Sequence, residues 1–187
     1  TARQQLGLEP DAVYIGAMGR LVPLKAHDVL LQAFAQLSEE FPSAKLAILG
    51  EGRERENLQA LIEQLCLQDK AILLGFKEDA LQYLKAFDIW TMPSLREGLG
   101  LALLEGMCAG LPVVASSVPA MLPLVRGAGG IAIQPGSVAE LRDALRSYLS
   151  MTDLERAQTG ERVLHYVMQH HGIAEFRAKY KELISSI

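Results

Sequence analysis

The chain has 187 residues, half of them hydrophobic and 21% charged, with a formal net charge of −4. That length suits one domain of ordinary size with a buried core, and the composition excludes a disordered polar chain. Acidic and basic residues are mixed along the sequence without a basic stripe, which excludes a general nucleic-acid binder.

The chain opens on "TARQQLGLEPDAVYIGAM", without an initiator Met, and passes from a short helix into a strand. Such a start reads as a domain excised from something longer, with N-terminal processing as the alternative. The sequence carries no signal peptide and no apolar run long enough to span a bilayer. Short apolar runs then recur at 13–18, 45–49, 71–74, 89–92, 112–115 and 130–133. Most are continuous, not alternating, which marks strands buried on both faces of a parallel sheet. Amphipathic helical segments follow at 26–40, 54–67, 80–86, 101–109 and 138–150. The alternation predicts a Rossmann-like, doubly wound α/β sheet of about six strands with helices on both faces. After Ser150 the sequence is helical with one break near Gly172, so two C-terminal helices are expected, the first capped by Asp153. Cys66 and Cys108 fall inside predicted helices without metal-ligand spacing, and read as buried thiols of a reducing compartment.

Ligands of such sheets bind at the carboxyl ends of the strands. After the first strand, "GRLVPLK" places Arg20 and Lys25 in a loop that Gly19 lets turn. Two cations before a helix start make an anion site, or else an ordinary solvated loop. His27 opens the next helix, where it either packs or meets a phosphate. After the second strand, "LGEGRERENL" offers Gly50 and Gly52, as a turn close to a ligand or a plain tight turn. The third glycine of a dinucleotide fingerprint is missing, because Arg55 stands there. After the third strand, "LGFKED" carries Phe76, which either flanks a flat ligand or belongs to the core.

After the fourth strand, "PSLREGLG" is a loop and the helix begins near Gly100, with Leu101, Leu104 and Cys108 on one face. The free amides of Gly98, Leu99, Gly100 and Leu101, together with the helix dipole, favour a phosphate there. Glu97 stands just ahead of this helix start and Glu105 lies within the helix among apolar neighbours. A helical carboxylate can accept two hydrogen bonds from a vicinal diol such as a ribose. The alternative is one capping glutamate and one solvated glutamate. His165, His170 and His171 lie in the C-terminal helical region, away from the strand ends, and read as surface or packing residues.

At these residues the chain resembles the C-terminal domain of the family 4 glycosyltransferases, also called glycosyl transferases group 1, which have the GT-B architecture. "GRLVPLK" resembles the family's G-R-L-x-x-x-K-G loop. "AKLAILGEGRERENLQALIEQLCLQDKAILLGF" is similar to its second and third βα units, and "LKAFDIWTMPSLREGLGLALLEGMCAGLPVVAS" to its E-x7-E segment. Ala26, Gly106 and Ala120 depart from the usual pattern. The resemblance implies that residues 1–187 form one nucleotide-sugar-binding domain, the C-terminal half of a retaining glycosyltransferase. It implies that Arg20 and Lys25 hold the donor diphosphate and that Glu105 binds the ribose hydroxyls. Glu97 then faces the donor sugar, the amides from Gly98 to Leu101 hold the sugar and its phosphates, and Gly19, Gly52, Phe76 and Lys77 lie beside the donor. The implied partners are a UDP- or GDP-sugar and a glycan or lipid-linked acceptor bound by a separate N-terminal domain. No metal or other cofactor is expected. The implied setting is cytoplasmic, in polysaccharide, lipopolysaccharide or glycolipid synthesis, with peripheral attachment to the membrane as one form. The last helix, "AEFRAKYKELISSI", would cross back to the N-terminal domain. A nucleotide-binding module without catalysis and a nicotinamide dehydrogenase domain are the competing readings.

Overall fold

Continuous apolar runs form the strands: β1 (Val13–Met18), β2 (Ala44–Leu49), β3 (Ala71–Gly75), β4 (Ile89–Met92), β5 (Val113–Ser116) and β6 (Ile131–Ile133). Between and around them run α1 (Ala2–Leu6), α2 (His27–Ala35), α3 (Arg55–Gln64), α4 (Leu101–Cys108), α5 (Leu122–Gly127), α6 (Val138–Leu149) and α7 (Asp153–His170). The structure is a computed structural model and describes residues 1–172. The helix expected over 174–187 lies outside the described residues.

All six strands pair in parallel in the order β3-β2-β1-β4-β5-β6. Ile15 of β1 lies between Leu46 of β2 and Ile89 of β4. The strand order therefore reverses between β1 and β4, and a crevice opens at their carboxyl ends. Successive side chains leave a strand on opposite faces. Ile15 and Ala17 of β1 join Phe34, Leu46, Ile62 and Leu145 on one face. Tyr14 joins Leu49, Trp90, Leu103, Met107 and Val163 on the other. Among the described residues, no helix is long and apolar enough to cross a membrane.

Several local expectations are corrected. The segment Ala80–Ala86 is a 3₁₀ helix instead of an α-helix. Helix α5 was not expected, because Pro123 in its first turn and the glycines at its end disguise so short a helix. Thr152, not Asp153, caps α7: its hydroxyl accepts from the Glu155 amide, and Glu155 reaches back to the Thr152 amide. Both cysteines are exposed. Helix α3 ends before Cys66, which occupies a left-handed turn with φ of 56°.

Helix α4 turns a different face inward from the one its leucines implied. Leu103, Gly106 and Met107 are buried, while Leu101 is 60% exposed. The cause is Trp90 on β4. Its indole lies against α4 and donates from Nε1 to the Ala102 carbonyl at 2.8 Å. A Cβ at Gly106 would stand 2.1 Å from the Trp90 ring. The glycine that weakens this helix by propensity is what lets it pack.

Candidate functional site

The loops at the carboxyl ends of β1, β2 and β3 are joined through their backbones. The Gly19 amide donates to the Leu49 carbonyl at 3.0 Å, Leu21 to Glu51 at 2.9 Å, and Gly50 to Gly75 at 2.9 Å. A Cβ at Gly50 would stand 1.9 Å from the Gly19 oxygen, and one at Gly52 2.4 Å from the Leu21 oxygen. Both glycines are thus required by the approach of the chain to itself. Beside these loops lies a cleft of about 220 Å³, lined by Gly19, Arg20, Glu51, Phe76, Lys77 and Ala80 among others. Phe76 is 72% exposed, so it flanks the cleft and does not join the core. Gly52 does not line the cleft.

Arg20 is exposed at the rim and makes no ion pair among the described residues. Lys25 follows a different course. A short 3₁₀ turn, Pro23–Lys25, folds its aliphatic stem over Gly19, and its ammonium pairs with Glu97 Oε1. The same oxygen accepts from the Ser94 hydroxyl at 2.9 Å. The Leu95 amide donates to the Leu24 carbonyl at 2.9 Å, so side chains and backbone both tie the β1 loop to the β4 loop. These two loops flank the point where the strand order reverses.

Beyond Glu97, Gly98 is exposed and open around its Cα, while Gly100 takes φ of 65° against Met121. That left-handed residue occupies the N-cap position of α4 without capping it, because no side chain accepts from the helix's first amides. The amides of Gly98, Leu99, Gly100 and Leu101 find no acceptor among the described residues. Leu99 and Leu101 are exposed. This start of α4 therefore presents several unused donors and the positive end of the helix dipole.

Glu105 is half-buried one turn further into α4. Burial raises its carboxyl pKa; at Cys108, exposed as a residue, partial burial of the thiol and then the Glu105 charge raise the thiol pKa. His27 is 3% exposed and its Nδ1 has no hydrogen-bond partner. Burial, helped by the Lys25 charge, lowers its pKa to about 4, so it packs as a neutral ring. Among the described residues, no group of three or more His, Cys, Asp or Glu is placed to hold a metal ion.

The crevice thus gathers Arg20 with Gly19, Phe76 and Lys77 on one side, and Lys25 with Glu97 on the other. Ser94 was missed at the level of sequence, where only its place in the "PS" pair before Glu97 marked it. A parallel sheet in this order, with cations and an uncapped helix start at its reversal point, defines a doubly wound α/β domain.

The sequence profile described as "Glycosyl transferases group 1" matches residues 1–163, and the chain belongs to that family. It is 34% identical over 176 residues to a D-inositol 3-phosphate glycosyltransferase of Nocardia farcinica, covering 88% of this chain and 39% of that relative. The chain thus spans about two fifths of the length of that curated relative. Its fold matches the Anabaena protein Alr3699/HepE, solved in complex with UDP, with a TM-score of 0.88 and 26% identity over 99% of this chain and 51% of that one. It also matches the C-terminal domain of a group 1 family protein (LpcC) from Francisella tularensis, with a TM-score of 0.80 and 23% identity over 92% of this chain and 94% of that one.

Proposed function

We propose that this chain is the donor-binding half of a retaining glycosyltransferase that moves a sugar from a nucleoside diphosphate to an acceptor. The observation that carries the reading is the meeting of Lys25 and Glu97 across the reversal point, beside the uncapped start of α4. A departing diphosphate needs positive charge and aimed donors where its own charge grows. Arg20, Lys25 and the amides from Gly98 to Leu101 supply them in this reading, in the role a metal ion would otherwise fill. Glu97 faces the donor sugar and steadies positive character at its anomeric carbon. Glu105 accepts the ribose hydroxyls, and Phe76 and Lys77 flank the base.

The complex of the Anabaena relative with UDP supports a uridine nucleotide as the first ligand to try. We assign the acceptor to a separate N-terminal domain and the setting to the cytoplasm, in synthesis of a bacterial polysaccharide, lipopolysaccharide or glycolipid. Calorimetric titration with UDP, GDP, ADP and NAD tests the reading. Binding of UDP or GDP, reduced in Arg20→Ala and Lys25→Ala, is the expected result. Binding of NAD with no nucleoside diphosphate would overturn it. Nucleotide binding without sugar transfer by the complete polypeptide would leave a binding module in its place.

A further inference from the structure

Ser94 is 1% exposed and lies in the loop between β4 and Glu97. Its hydroxyl donates to Glu97 Oε1 at 2.9 Å. The Lys25 ammonium reaches that same oxygen, while Oε2 takes no hydrogen bond from any described residue. The two partners of Oε1 differ in what an arriving ligand does to them. Lys25 carries a full charge on a flexible stem, and a diphosphate competes with Glu97 for it. Ser94 is neutral and buried, and no anion draws it away. Its neighbour Leu95 is anchored through its amide to the Leu24 carbonyl at 2.9 Å, which fixes the loop that carries it.

We propose that Ser94 is a positioning residue for sugar transfer: its hydroxyl keeps Glu97 in place when the donor diphosphate draws Lys25 off the shared oxygen. This rests on the reading of Glu97 as the carboxylate at the donor sugar. A group beside a reacting carbon must hold its position to within about half an ångström, through supporting hydrogen bonds. A glutamate released by its lysine and held by nothing else would swing through several side-chain torsions. With Ser94 in place, the lysine is exchanged between carboxylate and phosphate while the carboxylate stays.

The test uses the complete polypeptide as wild type, S94A, S94T, E97Q and the double variant S94A/E97Q. Nucleoside-diphosphate release, by transfer of the sugar to water, is followed with UDP-glucose, UDP-N-acetylglucosamine and GDP-mannose, and kinetics are taken with whichever the wild type turns over. We expect S94A to lower kcat about tenfold to a hundredfold with the donor KM changed less than about threefold, because misplacement of a reacting group costs rate more than binding. S94T, which keeps a hydroxyl, restores most of the rate. S94A has no further effect on the E97Q background, since Ser94 acts through Glu97. An unchanged kcat in S94A, or an equal loss on both backgrounds, overturns the proposal alone. A wild type that binds neither UDP nor GDP removes the donor-binding reading, and this proposal with it.

Discussion

Lys25 and Glu97 lie 72 positions apart in the sequence and form an ion pair across the point where the sheet reverses its order. Their side chains are only 19% and 12% exposed, so each charge is partly withdrawn from water and depends on the other. Removing one partner of such a pair leaves the other uncompensated. Lys25→Ala should cut turnover about a hundredfold to a thousandfold, the scale for losing one donor at developing charge. It should also weaken UDP or GDP binding. Glu97→Gln should spare nucleotide affinity and lose turnover. Initial rates and calorimetry on the same preparations check both; equal loss of affinity in the two variants would contradict the division of roles.

On the proposed ribose role, Glu105 should give nucleotide affinity its own acid limb. Burial raises its carboxyl pKa, so it takes up a proton at a higher pH than an ordinary glutamate. A protonated carboxyl carries an O–H donor and gives up part of its acceptor capacity for a diol. Affinity for UDP or GDP should therefore fall with decreasing pH, beginning above the usual glutamate range. Glu105→Gln should weaken binding at neutral pH and flatten that limb. Calorimetric titrations between pH 7 and pH 4.5 would show it, and an unchanged limb in the variant would remove the ribose role.

His27 makes stability depend on pH. Its folded-state pKa of about 4 lies below the ordinary value of 6.5, because burial and Lys25 oppose its charge. The unfolded chain then binds the proton first as pH falls. The stabilising contribution is full above about pH 6.5 and is lost between there and pH 4, amounting to roughly 3 kcal/mol at neutral pH. Urea unfolding at pH 7 and pH 4.5 should show a steeper loss for the wild type than for His27→Asn. Parallel losses would show that another group carries the slope.

Gly106→Ala should destabilise the chain by about 1–3 kcal/mol, although alanine is the better helix former by about 1 kcal/mol. The added methyl would meet the Trp90 indole at 2.1 Å. The shift in the urea midpoint decides which effect wins, and a gain in stability would mean that Trp90 yields freely.

Much of the sheet was legible because a strand buried on both faces has to be apolar throughout. The runs at β1 and β4 therefore marked their own ends. Helix α4 was legible as a helix, but its inward face was not. That face depends on the fit between Gly106 and Trp90, which pattern alone does not disclose. Helix α5 was hidden because its proline and glycines read as turn residues. In the site, the residue types of Lys25 and Glu97 were legible, whereas their pairing is a product of strand order. Ser94 was marked only by the P-S pair, and its role was hidden because a buried serine is defined by the atom it reaches.

The wall of the cleft formed by Phe76, Lys77 and Ala80 hangs from β3, the edge strand of the sheet. The other loops of the site follow strands with neighbours on both sides, and the β1 and β4 loops are further tied to each other through Lys25–Glu97 and Leu95–Leu24. The two ends of the crevice therefore differ in their freedom to change. Around Lys25 and Glu97 an inserted residue would break several interlocking contacts together. Past Gly75, residues 76–80 are exposed or only partly buried among the described residues, so exchanges there should disturb the strands least. On the proposed placement of the base beside Phe76 and Lys77, altered nucleotide preference is best sought by varying residues 76–80, with the opposite end left untouched.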